Sequence, residues 1–252
     1  MLKEYFLLVL PLAFGFSNAW AEISIDNHQQ YLASDGTLHI VGEIQNHLDV
    51  PLNQVYVYIT LYSGNQVIDT RNTNSLVNTI MPGMKSPFDL VIHGQKAKMV
   101  DNYSLEINYK ISEPKNQAID ITSSKISRDN FDNLVITGMV ANRGDHTANT
   151  VSIVATLYDK EGNVVAVSKS LIEPDYLRSN DEAFFLVSVL DKPQTKIVVD
   201  YSLVAESEEY AAVPEFPLGS VLLLAGSVSS YLLMIRYTSR SMGNLIYESY
   251  TT

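Results

Sequence analysis

The chain contains two copies of one sequence pattern, and this duplication limits its fold more than any other feature. LHIVGEIQN (Leu38 to Asn46) matches LVITGMVAN (Leu134 to Asn142), which lies 96 residues further along the chain. VYVYITLY (Val55 to Tyr62) matches VSIVATLY (Val151 to Tyr158) at the same offset. Two further pairs of blocks follow in the same order, PFDLV with AFFLV and NYSLEI with DYSLVA. Matched blocks in one order, with small length changes between them, indicate a duplicated domain.

The matched blocks alternate apolar and polar residues with a period of two, which is typical of half-buried strands. Turn-forming sequences such as SDG, SGN, MPG and KEGN separate them. The pattern predicts an all-β fold with two tandem immunoglobulin-like antiparallel β-sandwich domains, residues 22–113 and 114–207. SEPKNQ (Ser112 to Gln117) is the predicted hinge, because Pro114 and its polar neighbours interrupt the strand pattern.

Six residues recur at the same places in both copies, and structural roles explain them. The glycines lie within a strand, where a missing side chain admits a bulge or a close neighbouring chain. The asparagines end that strand, where Asn tolerates a positive φ and can bond its own backbone. The tyrosines close the long strand, where a buried ring with its hydroxyl at the rim is common. These residues are Gly42, Gly138, Asn46, Asn142, Tyr62 and Tyr158.

The repeated blocks resemble the FxLYD domain, a small secreted β-sandwich module. The resemblance rests on GEIQN, ITLYSGNQVI and MPGMKSPFDLVI in the first copy and on GMVANRG, ATLYDKEGNVV and AFFLV in the second. It covers residues 37–107 and 133–205. The Phe of the family's name is Ile59 in the first copy and Ala155 in the second, and its Asp is kept only as Asp159. The resemblance implies the sandwich fold and indicates no activity.

The first 21 residues read as a secretory signal peptide. Lys3 supplies a weakly positive start, YFLLVLPLAFGF is the apolar region, and Ala19-Trp20-Ala21 has the small-x-small form that signal peptidase cleaves. The apolar run is short for a spanning helix, which favours cleavage after Ala21. An uncleaved membrane anchor and a buried N-terminal strand are the alternatives.

A second apolar block, FPLGSVLLLAGSVSSYLLMI (Phe216 to Ile235), carries no charge. At the helical rise this length covers about 30 Å, the thickness of a bilayer's hydrocarbon core. Arg236 and Arg240 follow it and glutamates precede it, an asymmetry that predicts a cytoplasmic C-terminus and an ectodomain on the cell surface. The predicted segments are a juxtamembrane linker at 208–217, a transmembrane helix at 218–235 and a cytoplasmic tail at 236–252.

The entrance to this block resembles a C-terminal sorting signal of the PEF type, which archaeosortase or exosortase-like transpeptidases read. In that family a Pro-Glu-Phe motif, a spanning helix and a basic cluster stand in this order. The matching residues are Pro214, Glu215, Phe216 and Pro217, followed by the basic cluster of Arg236 and Arg240. A simpler interpretation is that the two prolines stiffen the linker and end the helix on its outer side.

The sequence offers no pattern for catalysis, a cofactor or a metal. It has no cysteine, and its five histidines show no paired metal-ligand spacing. The acidic loop at Asp159 to Asn163 reads as a hairpin turn, because the bidentate Glu that would end a calcium loop is missing. No nucleophile elbow, phosphate loop or zinc-protease motif occurs, which argues against an enzyme. Asn102 begins the one N-x-S/T sequon of the exported part and is its candidate glycosylation site.

Two aromatic residues on the predicted outward face of one strand provide the candidate partner surface. Tyr56 and Tyr58 lie on the strand face opposite the apolar residues, where they could bind carbohydrate or protein or simply pack across strands. Residues 22–213 carry 25 acidic and 14 basic side chains, a net charge of −11, which argues against nucleic acid as a partner.

These features together predict an exported protein, held at the membrane by its C-terminal helix, whose two domains act as a non-catalytic spacer and interaction surface. Its partner would be a protein or another envelope component, in adhesion or in a surface assembly. The alternative is a ligand-binding accessory subunit of a membrane complex, anchored permanently by the helix.

Overall fold

The computed structural model describes residues 22–215. The predicted signal peptide with Ala19 and Ala21, the transmembrane helix, the tail and the basic cluster of Arg236 and Arg240 lie outside these residues. Among the described residues no helix has the length and apolar character needed to cross a bilayer.

The first copy of the repeat forms two antiparallel sheets. One sheet has the order β1-β2-β6, and the other places β3 at its centre with β4 and β7 on its sides and the short β5 at one end. A 3₁₀ turn at Gly94–Lys98 precedes the last strand. The strands are β1 (Ile23–Leu32), β2 (Leu38–Asn46), β3 (Leu52–Ser63), β4 (Gln66–Asn74), β5 (Thr79–Ile80), β6 (Lys85–Ile92) and β7 (Asn102–Ile111).

The second copy repeats this arrangement with one added strand, and the place of β5 is taken by a single bridge between Ala148 and Leu177. Its three-stranded sheet has the order β12-β9-β8, and its four-stranded sheet has the order β11-β10-β13-β14. The strands are β8 (Ile119–Arg128), β9 (Leu134–Asn142), β10 (Ser152–Tyr158), β11 (Val164–Leu171), β12 (Glu182–Val189), β13 (Asp200–Glu206) and β14 (Val213–Pro214), and α1 (Lys192–Thr195) is a single helical turn. The added strand is β14, which has no counterpart in the first copy.

Alternating residues from the two sheets meet in a buried core in each copy, so each is a β-sandwich, as the sequence predicts. In β3 the residues Val55, Val57, Ile59 and Leu61 are buried and the residues between them face outwards. Their counterparts in the second copy, Val151 just before β10 and Ile153, Ala155 and Leu157 within it, lie in the core of the second sandwich. The all-β class and its antiparallel sheets are confirmed.

PFDLV (Pro87 to Val91) and AFFLV (Ala183 to Val187) align at the offset of 96 in the sequence, which matches Phe88 with Phe184, and the structure shifts this match by one residue. Phe88 pairs with Gly42, and in the second copy Phe185 pairs with Gly138. Phe185 is therefore the buried counterpart of Phe88, and Phe184 points outwards with 57% of its surface exposed. The two Phe rings explain the shared glycines, since a Cβ on Gly42 would lie 2.8 Å from Phe88 and a Cβ on Gly138 would lie 2.6 Å from Phe185.

The shared asparagines hold the loop that follows their strand in the same way. Asn46 donates from Nδ2 to the carbonyls of Val50 and Ile80, at 2.9 and 3.0 Å. Asn142 does the same with His146 and Leu177, at 2.8 and 2.9 Å. Each Oδ1 also accepts the backbone N–H two residues later. Both side chains are buried, and neither residue has a positive φ, so the loop contacts explain them.

The segment after β13, which the sequence assigns to a juxtamembrane linker from residue 208, is packed as far as residue 215. Tyr210 is buried and donates its hydroxyl hydrogen bond towards Asp145 at 3.3 Å. Val213 and Pro214 then pair with β13. The carboxylate of Glu215 accepts a hydrogen bond from Ser124 Oγ on β8, at 2.6 Å. A prediction from apolar periodicity missed this strand because it is two residues long and contains a proline.

Candidate functional site

The two sandwiches share an extensive contact, defined here as the interdomain contact. The outer face of β10 and β13 in the second sandwich lies against the outer face of β2 and β6 in the first. Val154 and Val204 of the second sandwich belong to the same buried cluster as the core of the first. Every residue of β10 except Tyr158 is consequently buried, on both faces of its sheet. The predicted hinge between the domains, residues 112–117, therefore joins two sandwiches that bury surface against each other.

A buried carboxylate lies at the centre of the interdomain contact. Glu43 on β2 is only 2% exposed. Its Oε1 accepts a hydrogen bond from the Tyr158 hydroxyl of the second sandwich at 2.5 Å, and its Oε2 lies 3.1 Å from Lys85 Nζ. Burial, together with the negative charge of Glu43, raises the pKa of Tyr158 well above its usual value, so the hydroxyl stays a donor. Hydrogen bonds and one ion pair thus offset the cost of burying this charge.

A second buried carboxylate joins the sandwiches from the opposite direction. Glu206 at the end of β13 is 1% exposed. It accepts a hydrogen bond from the backbone N–H of Asn78 in the first sandwich, at 2.8 Å. Lys169 Nζ lies 2.8 Å from the same carboxylate and also donates to the carbonyl of Leu76, at 2.7 Å. Each sandwich therefore contributes one buried glutamate that the other sandwich satisfies.

The bulge in β1 makes a third connection. Asn27 has a φ of 55°, in the left-handed region that Asn tolerates, at the register shift between Asp26 and Gln29. Its side chain donates to the carbonyl of Gly162 at 2.6 Å and accepts the N–H of Val164 at 2.7 Å. The hairpin of the second sandwich is thereby fixed to the first strand of the chain.

A cleft of about 270 Å³ opens between the sandwiches beside this contact. His39 lies in it with Nδ1 2.9 Å from Asp89, and the ring of Tyr31 stacks on the imidazole at 5.0 Å. The hydrogen bond that the His39 ring donates to the Asp89 carboxylate raises the pKa of His39, against the opposing effect of burial. Both carboxylate oxygens of Asp191 are buried there without a hydrogen-bond partner. The cleft therefore contains free hydrogen-bond acceptors. Residues 22–215 contain no group of three His, Asp or Glu side chains placed to hold a metal.

The tyrosines of the predicted partner surface lie on the outer face of β3, defined here as the tyrosine face. Tyr58 is 40% exposed and Tyr56 is half-buried. Tyr58 has Asn72 and Glu106 as its cross-strand neighbours on β4 and β7. A shallow hollow of about 330 Å³ beside Tyr56 continues this face towards β5.

An open groove of about 680 Å³ runs between β1 and β7, at the edge of the first sandwich, and is defined here as the edge groove. Half-buried apolar residues from both sheets line it. His28 on β1 bridges it at one end, with Nδ1 2.8 Å from the Tyr103 hydroxyl. Its lining includes Ile23, Ile25, His28, Tyr103, Leu105 and Ile107.

The remaining predicted residues are spread over the surface. Asn102 is exposed at the start of β7, where its Oδ1 accepts the N–H of Tyr103 at 2.8 Å. Pro214 and Glu215, the first residues of the predicted sorting motif, are built into the second sandwich, and Phe216 and Pro217 lie outside the described residues. Sequence reasoning missed Glu43, although an acidic residue between the apolar residues of VGEI was a usable signal.

Comparisons with known proteins identify no family for the chain. No family model matches it, and no curated protein matches it. Among solved structures it is similar to an exo-chitosanase of Amycolatopsis orientalis, with 9% identity, a TM-score of 0.29 and coverage of 77% of this chain and 26% of that one. It is also similar to a Bacteroides uniformis β-glucuronidase, with 13% identity, a TM-score of 0.27 and coverage of 76% and 27%. A red sea bream transglutaminase matches with 6% identity, a TM-score of 0.24 and coverage of 78% and 31%. The chain thus spans less than a third of each of these proteins.

Proposed function

We propose that the protein is exported, tethered to the cell membrane by its C-terminal segment, and assembled at the cell surface through contacts between immunoglobulin-like sandwiches of neighbouring copies. In this proposal it is a non-catalytic spacer and interaction protein, and its units are of the FxLYD type. Export and tethering rest on the sequence of residues 1–21 and 216–252. The assembly rests on one structural observation. Each sandwich buries one face in the interdomain contact, and the equivalent face of the other sandwich is exposed.

The tyrosine face is the equivalent of a face that is already buried in a contact. Tyr58 occupies the place of Val154, 96 residues later, and Glu106 occupies the place of Val204. Val154 and Val204 pack on the first sandwich, whereas Tyr58 and its neighbours face solvent. The first sandwich therefore presents, uncovered and with more polar side chains, the face equivalent in position to the one that the second uses to bind it.

The matching face is exposed on the second sandwich. In the first sandwich the outer face of β2 and β6 includes Glu43 and Pro87, which are buried by the contact. The equivalent face of β9 and β12 carries Met139, Phe184 and Leu186, and the last two are 57% and 46% exposed. Two large apolar side chains, adjacent on one strand face, are typical of an interaction surface. Repeating the interdomain contact between molecules would bring this face onto the tyrosine face of the next copy.

Such a contact is head-to-tail, and it continues from one molecule to the next unless something closes it. Copies held in one membrane could therefore form rows. Since Glu215 belongs to the second sandwich and the predicted helix begins at residue 218, the second sandwich would lie directly above the bilayer. Because the contact joins the second sandwich of one copy to the first sandwich of the next, a row in one membrane requires the two sandwiches of each copy to lie side by side along the bilayer.

The assembly is tested with two variants of the full chain, Tyr58→Arg and Leu186→Arg, each of which blocks one of the two faces. Sedimentation of the detergent-solubilised wild type should show species larger than a monomer, and each variant alone should be monomeric. A mixture of the two should form heterodimers and nothing larger, because one intact face of each kind remains. Monomeric wild type, or a variant that still assembles, would refute the proposal.

Tethering is tested separately by the intact mass of the native protein extracted from membranes. A chain that begins at Glu22 and ends near Pro217 with an added mass would support a sorted surface protein. A chain that begins at Glu22 and runs to Thr252 would exclude sorting and leave a permanent anchor. In that case the alternative function, an accessory subunit of a membrane complex, gains weight, and the edge groove is the feature of the structure that favours it.

A further inference from the structure

The edge groove marks the place where the first sandwich lacks a strand that the second possesses. In the second sandwich β14 pairs antiparallel with the outer edge of β13, through Val204 with Pro214 and Ala205 with Val213. In the first sandwich the equivalent strand is β7, and among residues 22–215 it pairs only with β3. The backbone groups on the outer edge of β7 therefore have no neighbouring strand there.

The path of the chain explains the difference between the copies. After β13 the chain turns back and returns as β14 along the same sheet edge. After β7 it instead runs through residues 112–118 into β8, and the N–H of Ser112 donates to the carbonyl of Pro51 at 2.9 Å. The first sandwich has no strand equivalent to β14 among residues 22–215, because its chain continues from β7 into the second sandwich.

The missing strand leaves apolar side chains half-covered. Leu203 and Ala205 on β13 are fully buried beside β14. Their counterparts, Leu105 and Ile107 on β7, are only half-buried and line the groove. An added strand would cover them together with Ile25 on the opposite wall, and burial of apolar area is favourable at roughly 25 cal/mol per Å².

The second sandwich also shows which polar side chain such a strand should carry. There Glu215 directs its carboxylate to Ser124 Oγ at 2.6 Å, and Ser124 lies 2.9 Å from the Tyr201 hydroxyl. In the first sandwich His28 stands in the place of Ser124 and Tyr103 in the place of Tyr201, and these two are joined at 2.8 Å. When the Tyr103 hydroxyl donates to Nδ1, the Nε2–H of His28 is left to donate to a carboxylate.

We propose that the edge groove binds an extended segment of a partner protein, which adds to β7 as an antiparallel strand and places an acidic side chain on His28. Addition of a strand to an open sheet edge is an established mode of peptide recognition, in which backbone bonds give affinity and side-chain pockets give specificity. The register follows from the second sandwich, where the N–H of Glu215 donates to the carbonyl of Leu203 at 2.8 Å. The acidic residue of the partner would therefore donate its N–H to the carbonyl of Leu105.

The required acid favours a partner protein over the edge strand of a second copy. An inward-facing carboxylate is needed, as Glu215 provides in the second sandwich. In β7 itself the inward residues are Tyr103, Leu105, Ile107 and Tyr109, and its one carboxylate, Glu106, lies on the exposed face. Two copies joined by their β7 edges would thus leave His28 without an acid.

The experiment uses the full chain and a fluorescent peptide of sequence EYAAVPEFP, which copies residues 209–217. Fluorescence anisotropy should show saturable binding, and hydrogen exchange should slow at the amides of β7. Replacing the glutamate in VPE by alanine should weaken binding about tenfold, the effect of one charge-assisted hydrogen bond. The same replacement should have no effect on the His28→Ala variant, because the partner of the carboxylate is gone.

Ser124→Ala is the matched control, since it alters the equivalent position beside β14 and should leave peptide binding unchanged. Absence of binding to the wild type, or equal loss from the glutamate replacement in wild type and His28→Ala, overturns the proposal. Amides of β7 that are already protected without peptide overturn it as well, because a segment of the same chain or a second copy then fills the groove. Sedimentation distinguishes those two occupants, and neither result bears on the tyrosine face.

Discussion

Removal of the Tyr158 hydroxyl should loosen the interdomain contact while leaving both sandwich cores intact. In the Tyr158→Phe variant the ring keeps its packing, but Glu43, which is 2% exposed, loses the hydrogen bond that reaches it from the second sandwich at 2.5 Å. Lys85 still pairs with the other carboxylate oxygen at 3.1 Å, so the charge is not left alone.

A hydrogen bond to a charged group contributes about 1.5–3 kcal/mol, so the variant should lose stability in that range. For a folded unit of about 200 residues, 1 kcal/mol changes the melting temperature by about 2–4 °C, which predicts a decrease of about 3–12 °C. Thermal unfolding of the full chain, followed by circular dichroism, measures this. Spin labels on cysteines introduced at Gln66 and Lys160, one in each sandwich, should also report a broader distance distribution.

The repeat supplies the control. Tyr62→Phe removes the hydroxyl of the equivalent tyrosine, whose only side-chain partner given by the structure is the exposed Ser104 at 3.3 Å, and it should change stability by less than about 0.5 kcal/mol. Equal losses in the two variants would show that the hydroxyl acts within each sandwich. An unchanged Tyr158→Phe variant would show that Glu43 is not satisfied from the second sandwich, and would refute the reasoning.

Three further outcomes follow from the described residues. Gly138→Ala should cost about 1–3 kcal/mol in urea unfolding, because the new Cβ would lie 2.0 Å from a strand carbonyl oxygen; wild-type stability would contradict that close approach. Asn142→Ala and Asn46→Ala should each lower the free energy of unfolding by about 1–3 kcal/mol, since each leaves buried backbone groups without a hydrogen-bond partner. Very unequal losses in the two variants would contradict the equivalence of the two asparagines. His39→Gln should reduce stability below pH 6.5, where the imidazolium paired with Asp89 is fully formed. Because the folded pKa of His39 is raised, the difference from wild type should disappear as the pH rises through that value, and a constant difference would exclude the ion pair.

The sandwich cores were predictable because residues that face a core must alternate with residues that face away. The alternation in β3 and β10 gave the right inner face in both copies. The shared glycines and asparagines were predictable because each acts within one sandwich, whereas the hydroxyl of the shared Tyr158 acts across the interdomain contact. The short β14 was not predictable, because a strand of two residues is too short to show an alternation of apolar and polar residues. The register of β12 was misplaced by one residue, since two adjacent phenylalanines fit either face and only the pairing of Phe185 with Gly138 decides between them.

The interdomain contact was missed because it depends on residues in which the two copies differ. Glu43 has Met139 as its counterpart, and Val204 has Glu106. Comparison of two repeats selects what they share, which is what each fold requires by itself. The contact between them is asymmetric, so it leaves its mark on one copy only: apolar Val154 lies at an outward position where the other copy has Tyr58. In a tandem repeat, an outward residue that is apolar in one copy alone therefore indicates a face that another domain covers. By this criterion Phe184 and Leu186 indicate a second face of this kind, which is still uncovered.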